Sequence, residues 1–210
     1  MGADVNKCNV NGSSPIYAAA FEGHTATIEL LYSLGGDVLR ADTKGHSAIY
    51  GAAQNGHTDT VALLHKLGCD VNKAADSGRT PLYAASQNGH TDTAEFLISV
   101  GADVTKAAND GRHPLWGAAF NGHSSTVRRL KELGAVVNQR DKDGFTPLYV
   151  ASQKGHTDTV KLLHSLGGGI NEPNTIDGAT PIYIAAQFGF CDTVECLHKM
   201  GADVNRTKEG

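Results

Sequence analysis

The string GHTDT begins at Gly56, at Gly89 and again at Gly155, and the intervals between these copies are 33 residues and twice 33 residues. A period of this size constrains the fold more than any single residue does. A unit so short cannot bury its own apolar face and must stack on copies of itself. Two further series keep the step. Gly-His recurs at 23, 56, 89, 122 and 155 and, as Gly-Phe, at 189, while a turn glycine recurs at Gly12, Gly45, Gly78, Gly111, Gly144 and Gly178. Each series steps by 33 four times and by 34 once, so one extra residue falls in NEPNTIDG, between Asn171 and Gly178. GADVN and its relatives open at Gly2, Gly35, Gly68, Gly101, Gly134, Gly167 and Gly201. The chain therefore reads as one domain over 2–210, with repeats 2–34, 35–67, 68–100, 101–133, 134–166 and 167–200 and the start of another at 201–210.

One unit, residues 70–101, shows what each copy should build. DVNKAADSGRT carries the turn signal Asp76-Ser77-Gly78 and no helical period, which predicts an exposed hairpin-like finger. TPLYAASQNG offers Thr80 as a helix cap, Pro81 at the first helical position and Gly89 as a stop, with Ala84 and Ala85 small enough for another helix to approach closely. HTDTAEFLISVG predicts a second helix whose stripe is Thr93, Phe96, Leu97 and Val100. GHTDT holds an imidazole, a carboxylate and two hydroxyls, the ingredients of proton transfer, but a feature present at every period belongs to the scaffold. Its Gly ends one helix, Thr and Asp lie where they can accept from the free amides of the next, and His is expected to bond locally across the turn.

In period, glycines, Thr-Pro-Leu, paired alanines, Gly-His and GADVN, the unit DSGRTPLYAASQNGHTDTAEFLISVGADV and its five relatives resemble ankyrin repeats over essentially the whole chain. The resemblance implies an all-α solenoid of stacked helix-turn-helix units with hairpin fingers along one edge. It also implies a non-catalytic role in protein–protein recognition. The sequence departs from the family pattern in its signature histidine, which is aromatic throughout: Tyr17, Tyr50, Tyr83, Trp116, Tyr149 and Tyr183. A tyrosine hydroxyl is the available substitute for the hydrogen bond made there. Near the end of the second helix a large residue (Leu34, Leu67, Val100, Leu133, Leu166, Met200) stands where a small one is usual, and His65, His164 and His198 stand where leucine is usual. We read these as one compensated shift that turns the histidines outward. Arg129 occupies a stripe position filled elsewhere by Leu30, Leu63, Phe96, Leu162 and Cys196, and should reach the surface or a carboxylate.

Several function classes lack support. The net charge of −4 gives no reason to approach nucleic acid or an anionic membrane, and no apolar run nears the roughly 20 residues of a span. Cys8, Cys69, Cys191 and Cys196 form no CxxC pair and read as free thiols in a reducing compartment, cytoplasmic or nuclear. The opening MGADVNKCNV shows no secretory pattern. No metal, cofactor or unrepeated nucleophile–base pair is expected.

Function should then lie in aperiodic residues at exposed positions. In the family these lie on the concave side, at finger tips and the near face of each first helix. Repeats three to five gather Arg79, Arg112, His113, Trp116, Phe120, Lys142, Phe145 and Lys154 there, with Gln87, Asn88 and Asn121 at the ends of first helices. Aromatic and arginine side chains dominate binding hot spots. The expected site is therefore Arg79, Gln87, Asn88, Arg112, Trp116, Phe120, Asn121, Lys142, Phe145 and Lys154, receiving an acidic or apolar protein or peptide. The competing reading has Trp116 filling the tyrosine slot and Phe145 packing on a finger. The extra residue near Pro173-Asn174 should lengthen one finger and break the regular edge. A monomer with weak end-to-end association, cut from a longer array, is expected as well. Two rival roles are the targeting arm of a larger enzyme, such as a kinase or ubiquitin ligase component, and a spacer.

Overall fold

The computed structural model describes residues 4–204; Gly2 and residues 205–210, which the repeat pattern assigns to the two ends of the array, lie outside them. Among the described residues there are six helix pairs and no strand: α1 Pro15–Phe21 with α2 Thr25–Ser33, α3 Ala48–Gln54 with α4 Thr58–Lys66, α5 Pro81–Gln87 with α6 Thr91–Ser99, α7 Pro114–Phe120 with α8 Ser124–Glu132, α9 Pro147–Gln153 with α10 Thr157–Ser165, and α11 Pro181–Gln187 with α12 Cys191–Lys199. First helices pack on first helices, second on second, and the two members of each pair on one another, which makes a one-dimensional stack.

The first helices start where the sequence places their caps. Ser14, Ser47, Thr80 and Thr146 accept the amides of Tyr17, Tyr50, Tyr83 and Tyr149 through their hydroxyls, while Thr180 makes no such side-chain bond. Small residues let them approach: Ala84 and Ala85 are buried, and a Cβ on Gly117 would stand 3.3 Å from Gln87 Cβ. α3, α5, α7 and α9 are buried almost around their circumference, whereas α1 and α11, each with one neighbouring first helix, are not.

The stripe of the second helices differs from the expected one. In α6, Thr93, Ala94 and Leu97 are buried while Phe96 and Val100 are half-buried; in α4 the buried set is Thr60, Val61 and Leu64. The second helices pack on the first helices through this narrower face; the residue one step before the core leucine lies at its margin in α4 and α6, is buried in α10 as Leu162 and is exposed in α2 as Leu30. Leu67, Val100, Leu166 and Met200 pack against the core from partly buried positions, and His65 and His198 are exposed as the compensated shift requires. His164 departs from that expectation, being half-buried with its Nδ1 enclosed.

GHTDT works between repeats. The His57 ring donates from Nε2 to the carbonyl of Phe21 at 3.1 Å, His90 to that of Gln54 at 3.1 Å and His156 to that of Phe120 at 3.1 Å, each 36 residues back. The local bond expected across the turn is not made, because the ring lies over the glycine that ends the first helix of the preceding repeat. A Cβ on Gly89, which sits at φ +77, would stand 2.6 Å from His123 Nδ1. Nor do the hydroxyls cap their own helices. Thr58 bonds Thr93 at 2.7 Å, Thr91 bonds Thr126 at 2.8 Å, Ser124 bonds Thr159 at 2.8 Å and Thr157 bonds Thr193 at 2.8 Å, a ladder along the stack.

The fingers are joined one to the next by a backbone bond at their tips: Thr43 N–H to Asn11 O, Asp76 to Lys44, Asn109 to Ser77, Lys142 to Asp110 and Thr175 to Asp143. The extra residue lies in the last of these tips. Asn174 N–H reaches Ala179 O, a five-residue closure where Asp141 N–H reaches Phe145 O across four. The edge is not broken, because Thr175 keeps its bond to Asp143 at 3.2 Å and the surplus bulges outward at Ile176, which is 62% exposed.

Candidate interaction surface

In repeats two to five the residue after the turn glycine lies against the aromatic residue four positions on, at the start of the first helix. His46 stacks on Tyr50 at 4.7 Å, the Arg79 guanidinium covers Tyr83 at 5.1 Å, Arg112 covers Trp116 at 4.4 Å and Phe145 stacks on Tyr149 at 4.8 Å. The row continues along α7, where Trp116 stacks on Phe120 at 5.1 Å and the Lys154 ammonium of the next repeat sits 4.5 Å over the Phe120 ring. Finger tips and first helices of repeats three to five thus share one surface of cationic heads on aromatic platforms.

The ten residues expected to bind a partner are placed unequally. Arg79, Arg112, Phe120 and Phe145 are half-buried, and Lys142 and Lys154 are exposed. Trp116 is 2% exposed: it fills the tyrosine slot as a platform and offers no contact surface of its own. Asn88 and Asn121 spend their amides on the repeat joint, donating to Gln54 O at 3.1 Å and Gln87 O at 2.7 Å. The Gln87 backbone carbonyl is thus one half of a joint, and its side chain packs against α7. His113 lies apart from the surface. It is buried as the cap of α7, accepting the Trp116 amide on Nδ1 at 3.3 Å and donating from Nε2 to Gln139 O at 3.0 Å. Burial lowers its pKa to about 4, which keeps the ring neutral in the tautomer that both bonds require.

Two carboxylates in this region were not foreseen from the sequence. Asp110 Oδ2 lies 3.6 Å from Arg79 and 3.5 Å from Arg112. Asp141 lies 3.8 Å from Arg112, its side chain only 1% exposed. Their signal was present as an acid two positions before Arg112 and another at the finger base of the following repeat, but only stacking brings them together. The finger bases also show how environment sets a carboxyl. Burial raises Asp141, and the amides of Phe145 and Asp143 do not offset it; burial acts the same way on Asp42, but His46 and the Lys44 amide bring it below the usual range.

Elsewhere the expected substitute hydroxyl works once. Tyr149 accepts from Asn174 Nδ2 at 3.0 Å, whereas the Tyr83 hydroxyl is buried without a hydrogen-bond partner among the described residues. Arg129 reaches carboxylates as expected, pairing with Glu95 on the preceding repeat and Glu132 on its own. Cys69 is a buried thiol pushed up to about 11 by burial; Cys8 and Cys196 are half-buried and Cys191 exposed, all four free. Among the described residues no group of three His, Cys, Asp or Glu side chains could hold a metal, and no helix is long and apolar enough to cross a membrane.

Stacked helix pairs, tip-bonded fingers and joints at which a histidine ring, or that of Phe190 at Gly155, lies over a glycine of the preceding repeat define a helical repeat protein. A family model for ankyrin repeats (3 copies) matches residues 1–75, 32–108, 52–141 and 115–208, and the chain belongs to the ankyrin-repeat family. No curated protein matches the chain. Ankyrin repeats are in general protein–protein interaction modules.

Proposed function

We propose that this chain is a non-catalytic recognition module that binds a protein or peptide along the finger tips and first helices of repeats three to five, the side that is concave in the family. The observation that supports it is the run Arg79, Arg112, Phe120, Lys154 and Phe145. Arg79, Arg112 and Phe145 depart from the period, since other repeats place Ser13, His46 or Ala179 after the turn glycine, and Lys154 stands where Asn55, Asn88 and Asn121 stand in other repeats. Lys142 extends the surface at the finger tip, and Gln87, Asn88 and Asn121 set its floor. Its four free cysteines suit a reducing compartment, cytoplasm or nucleus. We read the chain as a monomer with weak end-to-end association.

The test is a lysate pull-down with mass spectrometry, comparing wild type with an Arg112→Glu/Phe120→Ser/Phe145→Ser variant of matched thermal melt. A protein captured by wild type and lost by the variant supports both the role and the surface. Equal capture moves the site to other fingers or the opposite side. No specific capture by either favours a spacer, and co-capture with a catalytic subunit favours a targeting arm.

A further inference from the structure

The cationic-aromatic surface of repeats three to five carries more than a general preference for partners. Arg79 and Arg112 come from successive repeats, yet their guanidiniums converge on one oxygen, Asp110 Oδ2, at 3.6 and 3.5 Å. Both distances exceed the roughly 2.7–3.2 Å of an N–H···O hydrogen bond, so the contacts are ion pairs with slack. Asp110 cannot close that gap freely, because its other oxygen accepts the Arg112 amide at 3.1 Å and its carbonyl accepts the amide of the next finger tip at 3.1 Å. Each guanidinium sits over an aromatic ring, 5.1 Å from the Tyr83 centroid and 4.4 Å from that of Trp116, and the side chains keep 31% and 34% exposure. The second acid near Arg112, Asp141, is enclosed and does not face a partner.

We propose that Arg79 and Arg112 form a clamp for one acidic side chain of a partner peptide, and that Asp110 is a built-in competitor that sets its strength. The clamp rests on the recognition role proposed for this same surface. Two guanidiniums already placed by a ring and a shared carboxylate lose less freedom on binding than free arginines, and a carboxylate that reaches hydrogen-bond distance gains what Asp110 is tethered too far away to make. Phe145, half-buried in the next repeat, gives the residue beside that acid an apolar seat. The partner is thus a peptide carrying Asp or Glu next to an aliphatic or aromatic residue. Exposed Asp76 and Asp143 on neighbouring tips disfavour a long acidic run.

A display selection from a random peptide library on the full chain tests this, carried out in parallel on wild type, Asp110→Asn and Arg79→Gln/Arg112→Gln. The Asn variant keeps an oxygen to accept the Arg112 amide, and each variant is checked by the emission of Trp116, the chain's single tryptophan. Wild type is expected to select peptides with one acid flanked by an apolar residue. A selected peptide should bind Asp110→Asn about tenfold tighter, bind the double glutamine variant about tenfold weaker, and lose the difference when its acid is changed to the amide. Titration should also shift Trp116 emission as Arg112 moves on the indole. Selection without acidic preference, acidic preference retained by the double variant, no gain with Asp110→Asn, or no binders at all would each overturn the clamp. A partner mapped to this surface by pull-down would survive those outcomes, so the two readings fail separately.

Discussion

Tyr83 and Tyr183 follow nearly the same local sequence, Thr-Pro-Leu-Tyr and Thr-Pro-Ile-Tyr, yet Tyr83 is 1% exposed and Tyr183 59%. The helices that carry them both begin with an extended threonine and a proline at the first position, although Thr80 caps its helix through its hydroxyl and Thr180 does not. The larger difference is the neighbour. α5 lies between α3 and α7, whereas α11 packs on α9 alone among the first helices. Burial in this molecule is therefore a property of the stack, and a residue's worth depends on where its repeat stands. The comparison breaks most directly at these two tyrosines. Tyr83→Ala should lower the urea-unfolding free energy by about 4 kcal/mol, as large-to-small changes in a packed core do, and Tyr183→Ala by under about 1 kcal/mol. Equal losses at the two sites would mean that stacking does not set the difference.

The same contrast holds for the caps. Four first helices are capped by a Ser or Thr hydroxyl and α7 by the buried ring of His113. Folded His113 takes up its proton only near pH 4, against an ordinary value of 6.5. Between these values the unfolded chain binds more protons, so stability is complete above about pH 6.5 and falls as the pH drops towards 4. The loss across that window is about 3 kcal/mol. Protonation puts a hydrogen on Nδ1, where the Trp116 amide needs an acceptor. Urea melts of wild type and His113→Thr at several pH values from 7 to 4 should differ by this slope, since the hydroxyl cap of the other repeats does not titrate. Parallel curves would show that His113 is not the titrating group.

Glycines at the helix turn separate backbone strain from stacking. Gly89 and Gly189 share φ +77, but a Cβ on Gly89 meets the His123 ring and one on Gly189 meets nothing within 4 Å. Gly189→Ala should cost about 1 kcal/mol for the left-handed backbone alone. Gly89→Ala should cost about 2 kcal/mol more, because the ring must leave its place against the preceding repeat. If the two variants melt together, the ring adjusts freely and the Gly-His joint is softer than its geometry suggests.

These contrasts also explain what could be read from the chain and what could not. Helices, fingers and first-helix caps were legible because each is written several times at one spacing, and local rules for Ser, Thr, Pro and Gly apply to each copy. The job of GHTDT was misread, since its bonds span 35 or 36 residues and only the stack makes those residues neighbours. The stripe was misjudged because a two-sided environment buries Thr93, Ala94 and Leu97 together, and a single-face template cannot describe that. Arginines and aromatics of the candidate surface were visible as departures from the repeat. Their division into platform and exposed head was not, and neither was the place of Asp110 between two guanidiniums, because both depend on the register of one finger against the next.

The smallest expected effect lies at Arg129, the residue that fits the repeat least well by sequence. Its guanidinium reaches Glu95 on α6 and Glu132 on its own helix, and all three side chains are at least one-third exposed. Charges so placed are screened by water and salt and lose side-chain freedom when paired. The half-buried stem already covers the margin of the core where other repeats put Leu63 or Phe96. Arg129→Leu trades the pairs for apolar contact of the kind its neighbours make, so its thermal melt at moderate salt should coincide with wild type. Raising the salt should move the two curves alike. A clear loss confined to low salt would instead show that the α6–α8 contact depends on the Arg129–Glu95 pair as well as on packing.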